Sequence, residues 1–154
     1  ETAQVTYRTD SVFTTRFGRR ELDPLDEGFT PWQRFQVEGY LDYHGAKLAR
    51  RFDANSYLVI NRAMDLHDLG RGRGGLERAA ARITAPVLSM SIDTDVLYPP
   101  HQQEAICDLV NAAGGVARLV EIHSPEGHDG FLIATDQVAA AVAPFLAEIE
   151  KAAQ

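Results

Sequence analysis

Apolar residues follow two different periods along this chain. From Trp32 to Phe52 the positions Phe35, Val37, Tyr40, Leu41, Leu48 and Phe52 recur at mixed three- and four-residue steps, which predicts a helix interrupted at His44-Gly45. Asp53 is placed to cap a second helix through Tyr57, Leu58, Ile60 and Met64. Upstream, Asp10 to Phe17 reads as a short helix with Asp10 as its cap, followed by a polar loop containing Pro24, Gly28 and Pro31. Leu76 to Ile83 predicts one more helix before Pro86. Beyond Pro86 the pattern changes. Val87 to Ile92 and Arg118 to Ile122 are short apolar runs that read as buried parallel strands. A helix from about Pro100 to Asn111, stopped by Gly114-Gly115, separates them, and another from about Thr135 to Lys151 follows.

Strand, helix, strand, helix is the rhythm of an α/β sheet. Two strands do not make a stable open sheet covered by helices on both faces, since sheets typically hold about four to six. The pattern therefore predicts an incomplete α/β core, residues 76–154, preceded by a helical region with connectors, residues 1–75. The remaining strands are expected from another segment or chain. The start Glu1-Thr2-Ala3-Gln4 lacks Met and leads straight into patterned sequence, which reads as a chain that begins inside a longer polypeptide.

Composition narrows the partners. The chain has 154 residues, 45% of them hydrophobic, and a net charge of −7 without a basic run. Nucleic acid and anionic lipid are poor electrostatic partners for such a surface, so a small-molecule ligand is expected. Cys107 is the single cysteine, which precludes an intrachain disulfide and fits a packing residue in a reducing compartment. No run of about 18 apolar residues and no charged-then-apolar leader pattern occurs, so a cytoplasmic location is expected.

Candidate chemistry lies at the ends of the two predicted strands. Asp95 follows the first strand within Thr94-Asp95-Val96-Leu97-Tyr98-Pro99, and His128 follows the second within Glu126-Gly127-His128-Asp129-Gly130-Phe131. Parallel sheets bind ligands outside the carboxyl ends of their strands, so both residues are expected at one crevice. A carboxylate there can orient an imidazole that serves as general base and then general acid. Asp93 is the rival acid. The alternatives are that Asp95 closes a turn and that His128 is an ordinary loop residue. Asp129 reads either as a carboxylate at the crevice mouth, able to hold a substrate ammonium, or as a helix-initiating residue.

The chain has no Gly-x-Ser-x-Gly elbow to supply a nucleophile. Gly70-x-Gly72-x-x-Gly75 resembles a dinucleotide fingerprint in letters alone, because a helical pattern rather than a strand precedes it. It reads as a flexible connector, with contact of Arg71 and Arg73 to an anionic cosubstrate as the alternative. His123, His128 and Asp129 lack the spacing of a zinc site, and no metal is expected. His44, His67 and His101 read as surface or packing residues.

Five segments together carry a resemblance. They are Tyr40-Leu41-Asp42-Tyr43, the stretch Ala49 to Tyr57, His67 to Gly75, Asp95 to Pro100, and Gly127 to Leu132. In this order they resemble the carboxyl half of homoserine O-acetyltransferase, an α/β-hydrolase-fold family. The resemblance implies a helical lid from about Asp10 to Gly70 that also forms a homodimer contact, and a Ser nucleophile in an amino-terminal half. It matches Asp95 and His128 to the triad acid and base, Asp129 to a carboxylate contacting the homoserine amine, and Tyr7 to a tyrosine near the substrate. It implies acetyl-CoA as cosubstrate without a permanently bound cofactor, a place in methionine biosynthesis, and no activity for this chain alone. Alternatives are a related acyltransferase using a succinyl donor or a serine or other alcohol acceptor, a serine esterase of the same fold, and a non-catalytic dimerisation fragment.

Overall fold

The computed structural model describes residues 2–22 and 30–152, so the loop expected around Pro24 and Gly28 lies outside the described residues. The chain divides into two compact units, Glu1–His67 and Asp68–Gln154.

The first unit is helical. α1 spans Thr2–Thr6, α2 Asp10–Arg16, α3 Gln36–Arg51 and α4 Ala54–Asp65. The polar start gave no sign of α1. Thr9, rather than the expected Asp10, caps α2, its hydroxyl accepting the Val12 N–H at 3.3 Å. Both residue types cap well, and the extended backbone at Thr9 selects it. The expected break at His44-Gly45 does not occur, because Phe13, Phe17, Tyr40 and His44 stack into one aromatic cluster along α3. Trp32 to Phe35 is not helical either. Phe35 instead forms an antiparallel bridge with Glu21, and the Glu38 carboxylate accepts the Phe35 N–H at 2.6 Å to start α3. Asp53 caps α4 as expected, accepting the Ser56 N–H at 2.7 Å.

The second unit carries the sheet. α5 covers Leu76–Ala80, shorter than expected, and is followed by β1, Val87–Ile92. α6, Pro100–Ala112, crosses over to β2, Ala117–Ile122. The strands are parallel in a register that runs from Val87 opposite Ala117 to Ile92 opposite Ile122. A 3₁₀ turn at Gly127–Asp129 then leads into α7, Gly130–Ile133, and α8, Thr135–Ala152. This two-stranded parallel sheet with flanking helices is the incomplete α/β core that the patterning predicts.

Why these strands pair in this register is visible at both ends. The core beneath them joins Cys107 and Val110 of α6 to Ala117, with Ile83, Val87 and Leu119 packed alongside, so Cys107 is a packing residue. Asn111 closes the start of β2, accepting the Ala117 N–H at 2.8 Å and donating to its carbonyl at 3.1 Å. Gln137 of α8 does the same at the end of β2, accepting the His123 N–H at 3.0 Å and donating to the His123 carbonyl at 2.8 Å. Each amide thus satisfies two backbone groups where the ladder ends. Replacing Asn111 by Ala is expected to cost about 1–2 kcal/mol, read as a lowered urea midpoint at unchanged slope.

Candidate active site

The pairing of Ile92 with Ile122 brings the segments after the two strands side by side. Three consecutive residues at the end of β1 then each bind the segment after β2. Asp93 accepts the Ser124 N–H on Oδ1 at 3.0 Å and meets His123 Nδ1 through Oδ2 at 3.1 Å. Thr94 donates its hydroxyl to the Ser124 carbonyl and accepts the Gly127 N–H at 3.1 Å. Asp95 Oδ2 lies 2.8 Å from His128 Nδ1.

Asp95 is held rigidly. Its Oδ1 accepts the Leu97 N–H at 2.8 Å and the Tyr98 N–H at 3.0 Å, so the carboxylate closes the turn and also pairs with the histidine. The two readings of Asp95 are therefore compatible. Its side chain is 5% exposed and that of His128 26%, so the carboxylate is withdrawn from water while the imidazole reaches it. A carboxylate only accepts, so the Nδ1 of His128 carries the shared proton and the Nε2 lone pair becomes the ring's basic position. The ring lies between Tyr98 and Phe131, with centroids at 5.3 and 5.7 Å.

Backbone geometry places the histidine. Gly127 has φ of 65°, which L side chains rarely adopt, and it starts the 3₁₀ turn. Gly130 follows at a point of close approach. A Cβ there would lie 2.9 Å from Ile92 Cγ2 and from Ser124 Cβ.

A cavity of about 240 Å³ opens against the pair, its wall including Met90, Ser91, Tyr98, Gln103 and Phe131. Ser91 is 2% exposed, and its hydroxyl finds no hydrogen-bond partner among the described residues. Asp129 ends the 3₁₀ turn half-buried; it makes no side-chain cap on α7 and does not belong to the described wall of this cavity. Tyr7 belongs to the other unit, beside a separate hollow lined by Gln4, His44, Lys47 and Arg51.

Asp93, the rival acid, pairs instead with His123. Its pKa lies below the ordinary 3.8, chiefly because the Ser124 N–H favours the carboxylate, with His123 adding to the effect against partial burial. Among the described residues no three His, Cys, Asp or Glu side chains converge as a metal-binding group. The Gly70 to Gly75 run follows α4 through a turn in which Gly70 N–H donates to Asp68 at 2.8 Å, so no strand precedes it. No single helix among the described residues is long and apolar enough to cross a membrane.

Sequence reasoning missed Thr94, Ser124 and the aromatic pair around His128. The Thr94 hydroxyl carries no local signal, since its partners lie about 30 residues away along the chain, and Ser124 meets Asp93 and Thr94 through backbone groups that any residue has.

No family model matches the chain. Curated relatives do. Homoserine O-acetyltransferase from Symbiobacterium thermophilum is 50% identical over 149 residues, 95% of this chain and 38% of that protein. The one from Moorella thermoacetica is 45% identical over 145 residues, 94% of this chain and 38% of its own length. The chain thus spans less than two fifths of the curated relatives it matches. Among solved structures, esterase E22 superposes with a TM-score of 0.75 at 24% identity, covering 94% of this chain and 39% of that one. Homoserine O-acetyltransferase from Bacillus anthracis gives 0.68 at 22% identity, covering 88% and 37%.

A folded aspartate with a lowered pKa stabilises the protein above its unfolded pKa and loses that contribution as pH falls through the folded value. The unfolding free-energy gap between wild type and Asp93→Asn is therefore expected to be fully present above the ordinary aspartate value of 3.8 and to shrink as pH falls below it. A gap that does not change with pH would mean that Asp93 is not held as a carboxylate.

Proposed function

We propose, from the premise that this chain belongs to the homoserine O-acetyltransferase family, that it supplies the acid and base of an O-acyltransferase whose nucleophile lies in sequence beyond these residues. The observation that carries this is the 2.8 Å contact between buried Asp95 and His128, at the carboxyl ends of adjacent parallel strands.

In this reading the nucleophile is a serine hydroxyl and the acyl donor is acetyl-CoA. His128 Nε2 takes the serine proton as the oxygen attacks the thioester carbonyl; the C–S bond breaks, and the proton passes to the departing thiol. The same nitrogen then takes the proton of the homoserine hydroxyl, which attacks the acetyl ester and regenerates serine. Asp95 keeps the imidazole in the required tautomer and stabilises the imidazolium. Asp129 is proposed to hold the homoserine ammonium, and Tyr7 to lie near the substrate. No permanently bound cofactor is needed, and the complete protein would work in the cytoplasm, in methionine biosynthesis.

The rest of the protein follows as part of the proposal. The two-stranded sheet and the orphaned Ser91 hydroxyl support an additional segment beside this core, because a buried unpaired hydroxyl costs about 1–3 kcal/mol. This chain alone then lacks a nucleophile and transfers nothing. Residues 1–75 form a lid region, which would keep water from the acyl-enzyme. Exposed Leu58, Val59 and Met64 on α4 support a homodimer contact there.

The test uses the complete protein that contains this segment. Acetyl transfer from acetyl-CoA to homoserine should fall at least about a thousandfold in kcat on His128→Ala. Undiminished transfer in that variant would overturn the catalytic assignment. Release of acetate without acetylation of any amino-acid hydroxyl would make the protein a hydrolase.

A further inference from the structure

Thr94 stands between the two acidic residues and has no part in the chemistry above. Its hydroxyl offers one donor and two acceptor positions. The donor goes to the Ser124 carbonyl, and the Gly127 N–H comes to the oxygen at 3.1 Å. Ser124 and Gly127 are the two ends of the short Pro125-Glu126 turn, and His128 follows at once. A single hydroxyl on β1's end therefore closes both ends of the turn that presents the imidazole.

The two ends are not held equally. Ser124 has a second tie through its N–H to Asp93, whereas the Gly127 N–H is satisfied by Thr94. Loss of the hydroxyl would leave Ser124 tied to Asp93, with the Glu126 N–H still on the Ser124 hydroxyl at 3.3 Å, and would remove the bond made by the Gly127 N–H next to the histidine. Asp95 would not follow, because its own carboxylate is tied to the Leu97 and Tyr98 amides. The relative motion falls on the Asp95–His128 contact.

We propose that Thr94 is a positioning residue for the Asp95–His128 pair, setting the height of the 124–127 turn so that Nδ1 meets the carboxylate. Thr94 does not belong to the described wall of the cavity beside His128, so it acts through the histidine and not on a ligand there. The geometric part stands on the hydrogen bonds alone; the consequence for turnover rests on the acyl-transfer reading.

Two substitutions separate hydroxyl from shape. Thr94→Val keeps the branched outline and removes the hydroxyl, and Thr94→Ser does the reverse. In the complete protein, proton NMR reads the Nδ1–H of His128 directly. That resonance should be lost or broadened in Thr94→Val and kept in Thr94→Ser. In the complete protein, Thr94→Val should lower kcat by roughly tenfold to a hundredfold with KM for both substrates within about twofold, while Thr94→Ser stays close to wild type.

A wild-type His128 resonance in Thr94→Val overturns the proposal, as does a Thr94→Ser variant as impaired as Thr94→Val. If Thr94→Val does not fold, Thr94→Ser decides: a retained resonance and kcat support the hydroxyl's role, and their loss overturns it. Failure of the acyl-transfer reading looks different. In that case His128→Ala retains transfer, and the NMR comparison still decides the role of Thr94.

Discussion

The parallel register that sets Ile92 against Ile122 is the constraint on which the site depends. A parallel pair directs both chains the same way, so residues leaving β1 and residues leaving β2 emerge together at one edge. Asp93, Thr94 and Asp95 then meet Ser124, Gly127 and His128 in the same order. A slip of one residue would turn every side chain of a strand to the opposite face and break all three contacts at once. The amides of Asn111 and Gln137, at opposite ends of β2, oppose such a slip.

The three contacts differ in physical character, and this separates their roles. Asp93 makes a partly exposed ion-pair contact with a strongly solvated histidine, the kind of surface pair that contributes little by itself. It holds the loop mainly through the Ser124 N–H. Thr94 makes neutral hydrogen bonds that need no charge. Asp95 is buried, with both oxygens occupied, so its charge faces His128 with little screening by water. Adjacent acids in one sequence thus serve distinct ends because only one of them is withdrawn from solvent.

Much of the core was legible from residue patterning. Pro86 and Asp93 bracket an apolar run too short for a helix, and β1 occupies that run, Val87–Ile92. Gly114 and Gly115 stop α6 close to where they were expected to. The helical region was less legible. Thr9 and Asp10 are both good caps, and only backbone conformation separates them. Gly45 looked like a break, yet aromatic stacking along α3 keeps the helix continuous. In the site, Asp95 and His128 stood out because titratable residues follow strand ends. Thr94 did not, because a hydroxyl acquires its meaning from partners that the sequence does not reveal.

The claim that Asp95 and His128 serve to activate a hydroxyl is tested most directly by mixing the complete protein with acetyl-CoA in the absence of any acceptor. The account predicts a burst of free CoA equal to the enzyme present, together with an acetyl ester on a serine outside these residues, both lost on His128→Ala. A burst of the same size in the His128→Ala protein, or an acetyl group on a residue of this chain, would contradict it.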